Sequence, residues 1–372
     1  MLESEWLEFG YKSGIIENPV SNGLQFSDAF RIWFIYKMKS IKNTSIDRIE
    51  VTYNRYVKDN AFETRQVSEL TEKHILDFFL ESIYRKNIKS HKEFSRLYQV
   101  IRAPLLFIRD SGQGYVKTID WESIKRMLPN NVLKIKKKIE YATSSTDVAY
   151  LIDSVVNKKV YALKQSACLC LCMNFFLGLR IGELAGLRFS DFDFRNNVLR
   201  ISHAEVKYYE RDENGEKIGS MHYEVVDSLK TENAFRYIPL IPEVKYFYNE
   251  IEKHHAHMGY QSEYLAYDGS QTVLTRSLER TLTRLCKLCE TTHINSHKIR
   301  KTFATTLHHN NVPTKVISGL LGHSEIATTE KCYILNFDDK FGEVAQLMQN
   351  GLKYGKLLDR NYEIVISKNE IA

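Results

Sequence analysis

The segment from Ala162 to Leu177 restricts the possible folds more than any other. It is largely apolar, Cys168, Cys170 and Cys172 alternate with leucines inside it, and it leads into Gly178-Leu179-Arg180. Such a stretch reads as an apolar helix packed into a core. Small thiols in such a helix read as packing atoms rather than redox groups. Arg180 then emerges beside Phe175, Phe176, Leu179 and Leu184, where a guanidinium is costly to bury without a carboxylate or phosphate. Glu183, three residues on, is a ready supporting partner.

Hydrophobic periodicity divides the rest of the chain. The stretches Ser27–Lys39, Ile46–Lys58, Thr71–Arg85 and Ser90–Arg109 carry apolar residues near helical spacing, which predicts a compact N-terminal bundle. From Val198 to Leu240 the period falls to two: Leu199, Ile201 and Ala204, then Tyr223, Val225 and Val226, then Tyr237, Ile238 and Leu240. The polar stretch Arg211–Gly219, with Asn214-Gly215, separates strands, and a turn over Ser228–Asn233 puts Lys230 at a hairpin tip. The expected class is mainly α with a small antiparallel β-sheet. Its expected parts are an N-terminal extension over 1–25, a helical domain over 26–115, a linker over 116–144, an α+β domain over 145–345 and a tail over 346–372. Lys134, Lys136, Lys137 and Lys138 make that linker a basic tether.

Composition narrows the class without choosing a function. A chain of 372 residues with 43% hydrophobic content can build two or three domains with real cores. No apolar run approaches the ~18 residues that span a bilayer, so no membrane partner is expected. Six cysteines without a secretory leader imply a reducing compartment, hence a cytoplasmic protein. A net charge of +6 suits a nucleic-acid partner but is shared by many unrelated enzymes.

The richest chemistry lies toward the C-terminus. S-H-K-I-R-K-T-F-A-T-T-L, from Ser296, places His297 and Arg300 three apart; if Ser296 caps a helix running through Thr305, both project from one face near a positive dipole end. A short helix over Val312–Leu321 would stop at Gly322, so that His323 emerges at a turn, and Tyr333 follows on a short element. Proton-transfer groups, a phosphate fork and a phenol together suggest phosphoryl transfer. A second pattern, Cys286, Cys289, His293 and His297, superficially suits zinc, but its interval is far shorter than a finger loop and Leu282, Leu285, Cys286 and Cys289 form a packing stripe. His254, His255 and His257 read as a solvated helix end.

Arg180 in G-L-R-I-G-E-L, Lys230 in L-K-T-E-N-A-F-R-Y-I-P-L, His297 and Arg300 in H-K-I-R, His323 in L-G-H-S and Tyr333 stand in the order of a tyrosine recombinase. The chain resembles that family, of the phage and conjugative-transposon integrase type, from about Tyr141 to Tyr333. The resemblance implies a helical core-binding domain and a catalytic domain that close on DNA as a clamp. It implies that Tyr333 attacks a scissile phosphate, Arg180 and Arg300 neutralise it, Lys230 protonates the leaving 5′ oxygen, and His297 or His323 accepts the phenol proton. The product is a 3′-phosphotyrosyl enzyme, and since the bond is conserved no cofactor or metal is needed. The implied partners are double-stranded recombination sites, a homotetramer on DNA and accessory excision or DNA-bending proteins, with Lys134, Lys136, Lys137 and Lys138 as backbone contacts. Cys332 neighbours Tyr333, but a thiolate attack would depart from the family pattern. A type IB topoisomerase, or a non-catalytic DNA-binding accessory protein, would share part of this pattern. The extended N-terminus and the loop between Tyr209 and His222 favour integration or excision of a mobile element.

Overall fold

A computed structural model describes residues 23–88, 90–129, 142–157, 165–227, 235–269, 274–322, 346 and 348–349. The chain divides into two compact units. One holds the residues up to 129 together with Lys207–His222; the other holds 142–206 and the residues from Tyr223 onward. The expected mainly α class with small antiparallel sheets is what is found.

The first unit contains α1 (Phe26–Met38), α2 (Asn43–Tyr56), α3 (Glu72–Tyr84), α4 (His91–Asp110) and α5 (Trp121–Met127). Their starts follow from local chemistry. Thr71 accepts from the His74 amide at 3.4 Å and Ser90 from the Glu93 amide at 3.1 Å, each satisfying a donor that the first helical turn leaves unpaired. α1 begins one residue before the predicted Ser27, with Gln25 as its cap and Asp28 accepting from the Gln25 amide. Apolar faces meet in a core rich in aromatic rings. Phe30 stacks on Tyr53, Phe26 meets Phe62 edge-on at 4.9 Å between centroids, and Phe79 meets Phe94 at 5.2 Å. Part of the stretch expected as a linker is ordered helix: α5 buries Trp121 and Ile124 in this same core, with Val116, Ile119 and Leu128. Their apolar spacing supplies enough buried surface to hold the short helix, and the four linker lysines 134 and 136–138 lie outside the described residues.

The second unit is built around α7 (Gln165–Met173), every residue of which from Ser166 to Met173 is buried. The apolar stretch is helical and buried as expected, and the structure places it at the centre of this unit. α6 (Ser145–Val156), capped by Ser144 on the Asp147 amide at 3.1 Å, packs against it, as do α9 (Pro242–Met258) and α10 (Thr275–Leu288). Burial pushes the Cys168 thiol up to about 12 and raises Cys170 and Cys172 as well, so these are unreactive packing groups. Cys286 and Cys289 are buried in the same core, and His255 is buried too, its Nε2 donating to the Leu265 carbonyl at 3.2 Å. His255 therefore corrects the expectation of a fully solvated helix end: its ring lies on the inner side of α9 and burial lowers its pKa.

The strands correct a second expectation. β1 (Phe192–Asp193), β2 (Val198–Ile201) and β5 (Arg236–Pro239) form one antiparallel sheet in the order β1-β2-β5, while β3 (Ala204–Arg211) and β4 (Lys217–Val226) form another. β4 and β5 are thus not the two arms of one hairpin. Leu199 faces Ile238 and Ile201 faces Arg236 across β2 and β5, because the apolar alternation of β5 completes the core beside β2. Lys230, in the connection between the two sheets, lies outside the described residues.

The β3–β4 turn is tight. Asp212 accepts from the Asn214 amide at 2.9 Å and from the Glu216 amide at 2.8 Å, and Gly215 takes φ +81°, which a side chain would resist. Its residues Lys207–His222 belong to the first unit. There Arg211 donates to Asp47 and to Glu50, both at 2.7 Å, and Lys217 reaches Glu50 at 2.7 Å. Burial raises the Glu50 carboxyl, but the hydrogen bonds and charges of Arg211 and Lys217 outweigh it and hold the group below its ordinary range.

Candidate active site

The site begins where α7 ends. Asn174 closes a turn on itself: its Oδ1 accepts from the Leu179 amide at 2.7 Å and its Nδ2 donates to the Leu179 carbonyl at 3.2 Å. Gly178 takes φ +63° within this turn, and a Cβ there would lie 2.5 Å from the Phe303 ring. The turn therefore needs glycine, and it sets the direction in which Arg180 leaves the core.

Arg180 caps α8 (Ile181–Ala185), and Glu183 answers it twice. Glu183 Oε2 accepts from the Arg180 backbone amide at 2.9 Å and Oε1 from Arg180 Nη1 at 2.9 Å. The predicted support is present, and it is a local consequence of spacing three residues apart at a helix start. Glu183 is buried, whereas the Arg180 side chain remains 43% exposed.

Arg300 comes from α11 (Ser296–His309). The cap of this helix is Asn295, accepting from the Lys298 amide at 2.7 Å, one residue earlier than the Ser296 cap expected from sequence. The hydroxyl of Ser296 is engaged elsewhere, donating to Glu279. Arg300 is buried, and its Nη1 donates to the Gly178 carbonyl at 3.0 Å while its Nη2 donates to the Leu321 carbonyl. Burial and the like charge of Arg180 push its pKa down to about 9, with Glu183 opposing and Arg236 adding to the fall. It stays protonated at neutral pH, in a place that disfavours its charge and so favours an arriving anion.

The third wall is the end of α12 (Thr314–Leu321), which stops at Gly322 in the left-handed region with φ 64°. The last carbonyls of this helix have no intrahelical partner and carry the negative end of its dipole. Arginines fill that need. Arg180 Nη2 donates to the Gly322 carbonyl at 2.8 Å and Nη1 to the Leu321 carbonyl at 3.3 Å. Arg300 shares Leu321, and Arg236 Nε donates to the Leu320 carbonyl at 2.6 Å. The cluster thus ends on the residue directly before His323.

Arg236 is the residue that the sequence reading missed. It is buried at the start of β5, and its two terminal nitrogens donate to Glu183, Nη1 to Oε1 at 3.1 Å and Nη2 to Oε2 at 2.8 Å. A signal existed. Arg236 shares the inward phase of Ile238, and a charged residue at an inward strand position calls for a buried partner of opposite charge. Burial raises the Glu183 carboxyl, yet hydrogen bonds and charge from Arg236, then the amide and charge of Arg180, hold it below its ordinary range. A second missed pair is His203 Nε2 with Asp191 Oδ2 at 2.9 Å, both buried.

Of the predicted site residues, Arg180, Glu183 and Arg300 are brought together. His297 sits on the first turn of α11 with its ring exposed, three residues before Arg300. Lys230, His323 and Tyr333 lie outside the described residues.

This geometry, a ring of guanidiniums gathered from distant parts of the chain, agrees with comparison to known proteins. The phage integrase family model matches residues 142–339, more than half of the chain. The chain belongs to the phage integrase family. The matched span contains Arg180, Lys230, His297, Arg300, His323 and Tyr333. A tyrosine recombinase XerC-like protein of Caldanaerobacter subterraneus subsp. tengcongensis is 26% identical over 339 residues, covering 85% of this chain and 82% of the relative. The transposase from transposon Tn916 of Enterococcus faecalis is 25% identical over 194 residues, 46% of this chain and 42% of its own. Among solved structures, the Tn1549 transposon integrase in complex with transposon right end DNA superposes with TM-score 0.62 at 19% identity, covering 87% of this chain and 98% of that one. A lambda integrase tetramer bound to a Holliday junction gives 0.58 at 14% identity, covering 89% of each chain. As a member of this family the chain is a tyrosine-type site-specific DNA recombinase.

Proposed function

We propose that this recombinase integrates or excises a mobile element by opening and rejoining DNA through a 3′-phosphotyrosyl intermediate at Tyr333. The observation that carries this reading is the convergence of Arg180 and Arg300 on the carbonyls of Leu321 and Gly322, next to His323. A phosphodiester already carries a negative charge, and its pentacoordinate transition state places more on the non-bridging oxygens. Two planar guanidiniums, held by Glu183 and by backbone carbonyls before substrate arrives, are suited to receive it without reorganisation.

In this mechanism the Tyr333 phenol oxygen attacks phosphorus as the bond to the 5′ oxygen breaks. An unperturbed phenol has a pKa of about 10, so its proton must pass to a base. His297 and His323 are the candidates for that base, and Lys230 returns a proton to the departing 5′ oxygen. A 5′ hydroxyl from a second strand then reverses the step, and the bond energy is retained throughout. This accounting requires no cofactor and no metal.

The working assembly is a cytoplasmic homotetramer on paired recombination sites, with the N-terminal helical unit as the core-binding domain and Lys134, Lys136, Lys137 and Lys138 on the DNA backbone. Accessory excision or DNA-bending proteins complete it. Similarity to the transposase from transposon Tn916, beside the fold shared with a Tn1549 transposon integrase, supports the mobile-element role.

The test uses a nicked suicide duplex that traps the covalent step. Wild-type chain should form a denaturant-stable adduct whose DNA-linked peptide contains Tyr333, and Tyr333→Phe should bind the duplex without forming it. A linked peptide lacking that residue would refute the mechanism. Unchanged adduct formation in excess chelator is expected as well.

A further inference from the structure

Arg236 has no role in the chemistry above, yet all three of its guanidinium nitrogens donate hydrogen bonds. Its Nε holds the Leu320 carbonyl at 2.6 Å, and its Nη1 and Nη2 hold both oxygens of Glu183 at 3.1 and 2.8 Å. Glu183 in turn holds the backbone and the guanidinium of Arg180. One side chain from β5 therefore joins the start of α8 to the end of α12, the two segments that flank the proposed phosphate position.

We infer that Arg236 is a positioning residue for strand cleavage, acting through Glu183 on Arg180. The inference rests on the recombinase reading of the site. Its physical basis is a balance at a buried carboxylate. Among the described residues the charged groups facing Glu183 are Arg180 from its own helix, Arg236 from β5 and Arg300 from α11. The neutral partners nearby are the α12 carbonyls, which accept and do not donate. Arg236 supplies the leading hydrogen-bonded and coulombic stabilisation of the carboxylate, against a burial penalty that acts the other way. With Arg236 removed, burial pulls the Glu183 pKa upward. Protonation places a hydrogen on one carboxyl oxygen and removes the charge, so the paired hold of the two oxygens on the amide and the guanidinium of Arg180 weakens and Arg180 loses orientation. The group is held low in the wild type, so its ionised form persists through the neutral range; in the variant that form is lost as pH falls and regained as pH rises.

The test is single-turnover adduct formation on the nicked duplex, taken as the ratio of variant to wild-type rate at each pH from slightly acid to alkaline. Arg236→Met, which keeps the length of the side chain, should lose roughly 10- to 100-fold at neutral pH, the range expected when a catalytic group is displaced by a fraction of an ångström to an ångström. Its ratio should climb toward the wild-type value as pH rises. Arg236→Lys should keep the carboxylate ionised, so its smaller loss should be flat across the pH range. In a Glu183→Gln background the Met substitution should change the pH dependence no further. A pH-independent ratio for Arg236→Met, or a wild-type rate, would overturn the inference, and the lysine variant with the double substitution decides the matter if the Met variant folds poorly. Failure of the wild-type chain to form a Tyr333 adduct would instead overturn the recombinase reading, so the two failures are distinguishable.

Discussion

Arg211 in the helical unit and Arg236 in the catalytic unit are both nearly closed to solvent, with side chains 2% and 6% exposed, but their surroundings balance differently. Around Arg211, Asp47 and Glu50 each accept at 2.7 Å, Lys217 joins Glu50, and the Phe34 ring lies 5.3 Å from the guanidinium carbon. Among the described residues two carboxylates meet two cations, so the charges balance, although Arg211 Nε is buried without a hydrogen-bond partner. Around Arg236, among the described residues, Arg180 and Arg236 both bond the single carboxylate of Glu183, Arg300 feels only its charge, and the other donors turn to the carbonyls of Leu320, Leu321, Gly322 and Gly178. Partial charges on a helix end stand in where a full negative charge would be stronger. A neutral cluster reads as a structural fastening; one rich in positive charge, with one arginine left 43% exposed, reads as a place prepared for an anion.

Substitutions should separate the two. The largest effect is expected for Arg300→Lys, which keeps the charge but loses the fork: adduct formation should fall on the order of a hundred- to a thousandfold with little change in melting temperature. Equal activity of this variant in the suicide-substrate assay would remove the distinction between the clusters. Next, Arg211→Met leaves two partly buried carboxylates facing one lysine, and should cost roughly 3 kcal/mol of stability in a denaturant titration. The covalent step should persist wherever that protein is folded; selective loss of cleavage in a fully folded Arg211→Met would mean that the turn takes part in chemistry.

Smaller effects sharpen the same contrast. Because Glu50 is held below its ordinary range, its contribution to stability is present above the unfolded value of about 4.5 and is lost as pH falls through the lower folded value. Glu50→Gln should therefore flatten the acid limb of the stability curve, read by circular dichroism, without changing the neutral-pH cleavage profile. The smallest effect is binding of free sulfate without DNA. At a concentration equal to its Kd it should add only about 0.4 kcal/mol of stability, and Arg180→Ala should abolish the gain while Arg211→Met retains it. A gain that followed Arg211 instead would place the anion in the wrong unit.

Much of the local structure was legible in the chain. Thr71, Ser90 and Ser144 mark helix starts because a short polar side chain there meets an amide two or three residues on. Arg180 and Glu183 pair for the same reason of spacing, and Gly322 ends α12 as a residue free to take positive φ. The sequence also marked the apolar stretch as a buried helix, since nothing but a core accepts a segment as apolar as Ser166–Met173.

Contacts that join distant segments were decided by the tertiary structure. Arg236 meets Glu183 across 53 positions and Arg300 meets Gly178 across 122, and no local rule ranks such encounters. The pairing of β5 with β2 rather than β4 overturned the expected hairpin, because a strand of period two fits any neighbour that offers the right inward face. The sequence by itself determined which residues could bear charge, cap a helix or fill a core, since those are properties of side chains and of contacts within a turn. Only the closed fold decided which charges would be neutralised and which left wanting an anion, since that depends on distances between segments that the backbone brings together last.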